Sequence, residues 1–395
     1  MKEYFNEYYN GVTIWGYIPT LIILTVVYIL LAYNLLGSKK SVVYAAILSW
    51  FFRVLIGFLA PLLSFFPSVT DADLFSKIIS ENFYPDYQST GVKIFFYITY
   101  IIRALSIWDI QIFVLYQVFF YALSFLILFY SFELWVNSKG ESVNNKTKIL
   151  YIFMSTIYPA SIMYISVPLR EFLIIFAISI FTLGSVKWLI HKKDVGVLLL
   201  GAIIVLAVRP QLLPALLLSL FLIRFKLNFY NVLIIAIMPI LLIYIFSVVF
   251  FDISPEKLSA IRASWSEMHA IEVYGVFNWH SWLDVVMDYP LLLLQYLLSP
   301  IPILHQKDVF NMIAASLDVI FLMPVYYCVI LLLIMRNRVL ISSPFMIISL
   351  VTILLSSLWE AYIGGAVRHR MISMLLLFPL VSFHLTYSNK KIGKD

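Results

Sequence analysis

Charged residues are scarce in this sequence of 395 residues, where Asp, Glu, Lys and Arg together make up only 12% of the chain. Soluble domains carry about twice that fraction. Hydrophobic residues make up 63%, and the mean hydropathy is +0.96. The apolar runs are long and continuous, which predicts membrane-spanning helices and not the short alternating strands of a membrane barrel. We therefore expect an all-α, polytopic transmembrane helical bundle.

Several kinds of chemistry lack the residues they need. The one cysteine, Cys328, cannot form a disulfide within the chain, and redox chemistry is not expected. There is no Gly-rich phosphate loop, no Ser-His-Asp order and no zinc spacing, so neither a cofactor nor a metal site is expected. The net charge of +6 is no sign of nucleic-acid binding, because membrane proteins carry excess Lys and Arg in cytoplasmic loops.

About eleven apolar runs approach the roughly 20 residues that a helix needs to cross a bilayer. They lie near 13–36, 41–66, 110–133, 149–167, 170–190, 195–209, 211–225, 228–251, 310–335, 339–361 and 371–388. The first run has no basic segment before it and no small-residue cleavage site, so it is expected to stay as a helix. The whole chain, 1–395, is expected to form a single integral membrane domain.

Basic residues set the expected orientation. More than half of the 27 Lys and Arg lie in one set of short connections, which we take as cytoplasmic. The opposite side holds two long non-spanning segments, about 67–109 and 252–309, and all but four of the 21 carboxylates. Within these segments, 92–107 is expected to lie in the interface and 291–304 to be re-entrant or interfacial. We expect the outer face to be the working face.

Arginines on the outer face are the candidates for binding a phosphate or pyrophosphate, because the planar guanidinium matches phosphate oxygens. The candidates on the outer face are Arg170, Arg209, Arg368 and Arg370, and Arg53 is a further candidate of second rank. Arg170 opens a span, where the helix N-terminus also favours an anion. Arg53 lies inside an apolar run, where a charge is a functional candidate by default. The alternative is that each arginine pairs with an outer carboxylate.

Carboxylates and one histidine on the same face are candidates for taking a proton from a sugar hydroxyl. They are Asp71, Asp73, Glu171, Glu360 and His280. Binding a divalent cation is a further function considered for Asp71 and Asp73, and the alternative to any function is that they cap a helix N-terminus. The aromatic residues Trp265, Trp279 and Trp282 are candidates for stacking on sugars, although an interfacial aromatic belt also explains such residues.

Several of these groups resemble bacterial oligosaccharide repeat-unit polymerases of the Wzy type and, more distantly, GT-C membrane glycosyltransferases. The resembling groups are Asp71-Ala72-Asp73, Tyr158-Pro159 with Leu169-Arg170-Glu171, Arg209-Pro210, and Gly364-Gly365 with Arg368-His369-Arg370 and Pro379. The resemblance implies a multi-pass protein of the bacterial inner membrane with its active face periplasmic or extracellular. It implies a polyprenyl-pyrophosphate-linked oligosaccharide as substrate and a chain-length regulator protein as a further partner.

The expected function is therefore polymerisation of lipid-linked repeat units into a surface polysaccharide, an O-antigen or a capsule. Arginines would stabilise the departing pyrophosphate, and a carboxylate or histidine would take the proton. A GT-C transferase that uses a polyprenyl-phosphate sugar, with Asp71 and Asp73 as its catalytic carboxylates, is one alternative. A transporter or flippase for lipid-linked sugars is another, and it would show charges near mid-membrane and broken helices.

Overall fold

The computed structural model describes residues 14–37, 39–60, 70–85, 90–192, 194–224, 254–268, 277–300, 309–335, 337–360 and 363–392. Every regular element in these ranges is a helix, as the composition predicts. The chain divides into two compact units. The first comprises the residues up to 213 together with those from 378 on, and the second comprises 214–377. The prediction of a single domain stays a prediction.

Ten α-helices and part of the last one build the first unit. They are α1 Ile14–Leu36, α2 Lys40–Leu59, α3 Thr70–Ser80, α4 Thr90–Ile98, α5 Tyr100–Leu105, α6 Ile110–Ser138, α7 Asn145–Ile157, α8 Pro159–Ile165, α9 Glu171–His191 and α10 Val195–Val208. Helix α6 packs against α1, α2 and α9 and is buried over most of its length. It begins where Asp109 accepts a hydrogen bond from the backbone N–H of Ile112, an N-cap that satisfies an otherwise unpaired donor.

Helices α9 and α10 come closer together than ordinary side chains allow. A Cβ atom on Gly184 would lie 2.4 Å from the backbone nitrogen of Leu198, and one on Gly201 would lie 2.5 Å from that of Phe181. Only glycine fits at these two positions, and small residues at an interface are the usual means by which membrane helices approach closely.

Residues that the sequence assigns to the cytoplasmic connections meet at one end of the first unit. Lys148 forms an ion pair with Glu133 at 2.8 Å and donates to the carbonyl of Leu36, the last residue of α1. Tyr387 donates to Glu141 at 2.6 Å. The sequence-based grouping of these connections on one side therefore agrees with the packing of the first unit.

The second unit contains the remaining helices, of which the last continues into the first unit. They are α11 Leu213–Arg224, α12 Pro255–Met268, α13 Trp282–Leu298, α14 Val309–Ile334, α15 Arg338–Ile341, α16 Pro344–Trp359 and α17 Ile363–Ile392. Helix α13 packs against α16, and the Tyr289 hydroxyl donates to the Leu354 carbonyl at 2.8 Å.

The expected count of about eleven spans is not confirmed. Among the described residues, six helices are long and apolar enough to cross a membrane: α1, α2, α6, α9, α14 and α17. A seventh span results if α7 and α8, which are bent by 54° at Pro159, are counted together. Helices α10, α11 and α16 lie at expected spans but are shorter than the test requires. The expected span at 228–251 lies outside the described residues.

The two non-spanning segments also differ from expectation in detail. The segment 92–107 forms two short helices, α4 and α5, in place of one. The helix expected at 291–304 starts earlier, at Trp282, because Ser281 and Asp284 form a capping box there. The backbone N–H groups of Ser281 and His280 bind the Asp284 carboxylate and hold its pKa below the ordinary aspartate range.

Candidate functional site

Four buried arginines donate to carbonyls near the ends of helices. They are Arg53, Arg103, Arg262 and Arg370, each at most 1% exposed. The last carbonyls of a helix have no partner within the helix and carry its negative partial charge, so a cation is favourable there. This arrangement explains how arginines can be buried in an apolar protein.

Arg53 fills a gap that a proline creates. The carbonyl of Ser155 would bond the N–H four residues on, but that residue is Pro159, which has none. Arg53 Nη2 donates to this carbonyl at 2.7 Å, and the Tyr121 hydroxyl donates to it at 2.9 Å. Arg53 also donates to Ser161 Oγ at 2.6 Å. It therefore holds the bend between α7 and α8, and its predicted role in pyrophosphate binding stays a prediction.

Arg370 and Asp318 form an ion pair in which both side chains have no exposed surface. Arg370 Nε donates to Asp318 Oδ2 at 3.1 Å. Its Nη1 donates to the carbonyls of Tyr296 and Leu297, at the end of α13, at 2.9 and 2.8 Å. These bonds occupy the guanidinium that the sequence offers as a pyrophosphate ligand.

The connection that carries Arg170 and Glu171 is packed inside the first unit. Gln117 on α6 donates to the carbonyls of Ile165 and Val167 at 2.8 and 2.7 Å. Glu171, at the start of α9, is fully buried, whereas Arg170 is partly exposed. Arg170 therefore has some solvent contact, and the buried Glu171 has less access to a sugar hydroxyl.

Glu360 and His369 contact each other at the junction of α16 and α17. Glu360 follows the last residue of α16, and its carboxylate Oε1 meets His369 Nδ1. The two side chains are 9% and 15% exposed. A carboxylate on Nδ1 fixes the orientation and the tautomer of an imidazole. Nε2 of His369 is buried. Arg368, which is 7% exposed, directly precedes this histidine.

Trp279, a candidate for sugar stacking, lies in the core of the second unit at 1% exposure. Its ring stacks on Phe277, and its indole N–H donates to Asp288 at 2.9 Å. A stacking platform needs an open face, which this packing does not offer. Trp282 is partly exposed and His280 is exposed.

The remaining predicted site residues can be assigned to helices, but the structure gives no evidence on their roles. Asp71 and Asp73 lie in α3 and Trp265 in α12, and their side chains lie outside the described part. Arg209 ends α10 and is 8% exposed. Within the described ranges, no group of three His, Cys, Asp or Glu side chains is arranged to hold a metal ion.

The sequence identifies several charged residues of the site, but it does not identify the residues that contact them. His369 lies inside the motif Arg368-His369-Arg370 but was not selected, because a lone histidine carries no spacing signal. Asp318 was the clearer signal, since it is the one carboxylate in the apolar run of α14. Arg262 has no such signal, because its segment has ordinary polarity.

Comparison of this chain with protein-family models, with curated proteins and with solved structures found no match.

Proposed function

We propose that the protein is a membrane glycosyltransferase that polymerises polyprenyl-pyrophosphate-linked oligosaccharide repeat units into a surface polysaccharide. The observation that supports this proposal is the Glu360–His369 contact, with Arg368 beside it in the chain. Glycosyl transfer with a pyrophosphate leaving group needs a proton acceptor and a cation, and this junction offers both.

In the proposed reaction, binding of the incoming repeat unit brings one of its hydroxyls to His369 Nε2, which is buried in the free protein, and Nε2 takes the proton. The hydroxyl oxygen attacks the anomeric carbon of the donor chain and forms the new glycosidic bond. The bond from that carbon to the pyrophosphate oxygen breaks, and polyprenyl pyrophosphate leaves with the electron pair. Arg368 stabilises the charge that develops on the leaving group, and Glu360 stabilises the imidazolium that forms.

The proposed location is the inner membrane of a bacterium, with the reaction at the outer face. The orientation argument from basic residues and the resemblance to Wzy-type polymerases support it. The GT-C alternative depends on Asp71 and Asp73, and no described contact favours it.

A transporter or flippase for lipid-linked sugars is the second candidate, because two observations favour it. Helices α7 and α8 form a broken span with a bend of 54°. Arg370 and Asp318 are a buried ion pair in two candidate spans. Broken helices and intramembrane charges are features of substrate pathways in transporters.

The test uses purified protein in detergent with a lipid-pyrophosphate-linked repeat unit and no other protein. Wild type is expected to give a ladder of products on a gel. His369→Gln is expected to lower the rate by roughly 10²–10⁴-fold, because a general base contributes about that factor. Glu360→Gln is expected to lower it by a smaller factor. His384→Gln is the matched control, since it lies on the same helix about 22 Å further along.

Three outcomes separate the candidates. A ladder that needs His369 but not His384 supports the polymerase. If His369→Gln still gives a ladder but Arg170→Ala or His280→Ala does not, the reaction takes place near Arg170 or His280 and not at the Glu360–His369 pair. No ladder from folded wild type, together with movement of the lipid-linked unit across a vesicle membrane, supports the transporter.

A further inference from the structure

Arg262 connects a non-spanning helix to the backbone of Glu360. It lies on α12 and is 1% exposed. Its Nη1 donates to the carbonyl of Leu358 at 3.1 Å and to the carbonyl of Glu360 at 2.8 Å. These carbonyls lie at the C-terminal end of α16, where the helix supplies no further N–H groups. The guanidinium therefore fixes the turn from which the Glu360 carboxylate reaches His369.

The position of Arg262 is itself fixed by two aromatic rings. Its guanidinium carbon lies 5.5 Å from the ring centre of Phe277 and 5.7 Å from that of Trp279. These rings stack on each other with centroids 5.6 Å apart. Ser259, one turn before Arg262 on α12, donates to the carbonyl of Phe277. Cation–π contacts are stronger when they are desolvated, as they are here.

The polar connections continue from these rings into α13. The Trp279 indole N–H donates to Asp288 at 2.9 Å. A series of contacts thus runs from α13 through Trp279 and Arg262 to the backbone of Glu360, and from the Glu360 side chain to His369. Each member of the series lies within the second unit.

We propose that Arg262 is a positioning residue for the Glu360–His369 pair. It acts through the Glu360 backbone and sets the direction from which the carboxylate meets the imidazole. The segment formed by α12 and residues 277–281 thereby controls the proton acceptor without contributing a reacting atom. The inference rests on the proposed function where it concerns turnover, but the positioning itself is a property of the folded chain.

The deciding variant is Arg262→Lys, which keeps the charge but ends one bond short of Nη1, the atom that donates to both carbonyls. We expect kcat to fall by about 10–100-fold, the usual effect of losing a partner that orients a reactive group. KM is expected to stay within about twofold, because Arg262 touches no substrate. Arg103→Lys is the matched control: Arg103 is equally buried, lies among aromatic rings and donates to the helix-end carbonyl of Ile78.

A second measurement reads the position of His369 without any turnover. Purified protein is treated with diethyl pyrocarbonate, which modifies histidine, and the rate at His369 is measured by mass spectrometry relative to exposed His280. We expect this ratio to rise several-fold in Arg262→Lys and to remain unchanged in Arg103→Lys, because only the first substitution loosens the Glu360 turn. Phe277→Leu, which removes one ring and leaves the hydrogen bonds from Arg262 to Leu358 and Glu360 in place, should give a smaller change in the same direction.

The two measurements distinguish the two proposals. An unchanged His369 ratio in both Arg262→Lys and Phe277→Leu overturns the positioning role, whatever the activity. A raised ratio together with no transferase activity in wild type retains the positioning role and overturns the proposed function. Equal losses of kcat in Arg262→Lys and Arg103→Lys, with an unchanged ratio, would reduce Arg262 to a contributor to stability. If Arg262→Lys does not fold, Phe277→Leu decides on the same ratio.

Discussion

A guanidinium has five N–H groups, and a buried one is stable only if oxygen atoms surround most of them. In this protein much of that oxygen comes from the backbone. Arg103 illustrates the arrangement: it donates to the carbonyls of Ile78 and Phe96 and to Asn82 Oδ1. Neutral carbonyls at a helix end provide partial negative charge without the cost of desolvating a carboxylate.

The link between Arg53 and Pro159 predicts a measurable coupling. Arg53→Met should destabilise the protein, because the Ser155 carbonyl then loses its closest donor. In a Pro159→Ala background the helix supplies its own N–H, so the same Arg53→Met change should cost about 1 kcal/mol less. The free energy of unfolding of the four proteins in detergent gives the coupling. If the effects of the two substitutions on the free energy of unfolding are additive, Pro159 is not the reason why the Ser155 carbonyl needs Arg53 as a donor.

The buried pair of Asp318 and Arg370 predicts a larger effect. Asp318→Asn removes the carboxylate charge and should lower the free energy of unfolding by about 3–5 kcal/mol, because a buried cation loses its counter-charge. The double change Asp318→Leu with Arg370→Met should cost less than the sum of the singles, since no unpaired charge remains. Asp194→Asn is the control: its exposed pair with Lys187, at 3.6 Å, should contribute less than about 1 kcal/mol. Equal losses for the two aspartates would contradict the role of burial.

Residue types at the site could be predicted from sequence better than their partners. The sequence marks Arg53 as unusual because it lies in an apolar run, and Arg370 because it is an arginine on the expected outer face. It does not reveal that their acceptors are carbonyls, since backbone atoms leave no trace in residue identity. The Glu360–His369 contact is equally hidden, because it depends on the turn between α16 and α17.

Because helices α9 and α10 lie so close together, Gly→Ala substitutions in them should affect stability very differently from one position to another. Gly184→Ala and Gly201→Ala should each destabilise the protein by about 1–3 kcal/mol, because the added methyl group meets backbone atoms. Gly196→Ala on the same pair of helices should be neutral or stabilising by up to about 1 kcal/mol, since nothing lies within 4 Å of its Cβ position. Thermal unfolding in detergent measures all three. Equal effects would mean that the two helices are not in tight contact.

The approximate positions of the helices could be predicted because the apolar runs are long. The residues at which the helices begin and end could not be predicted as well. Helices occur at every expected span that falls within the described residues. The break at Pro159 falls inside the single expected span near 149–167, because hydropathy does not give the angle at which a chain continues. The start of α13 was misplaced by nine residues, since hydropathy begins at Leu291 whereas the capping box begins the helix at Trp282.

At the scale of the whole molecule, the distribution of basic residues predicts which ends of the helices face the cytoplasm. Cys328 is buried and is the only cysteine, so Cys328→Ser gives a cysteine-free background. In that background, Asn278→Cys should react with a membrane-impermeant maleimide added outside intact cells. Ser138→Cys should react only after the membrane is permeabilised. If both cysteines react from outside, positions 138 and 278 are not on opposite sides of the membrane. If only the cysteine at 138 reacts from outside, the predicted orientation is reversed.

Helix α17 belongs to both compact units, and this has a consequence for biogenesis. Its second half packs into the first unit, where Phe378 meets Tyr158 and Phe383 meets Phe132. These residues leave the ribosome after the whole second unit has been made. The first unit therefore lacks these contacts until the second half of α17 has been synthesised. Closure of the first unit is the last step of assembly, although most of that unit is synthesised first.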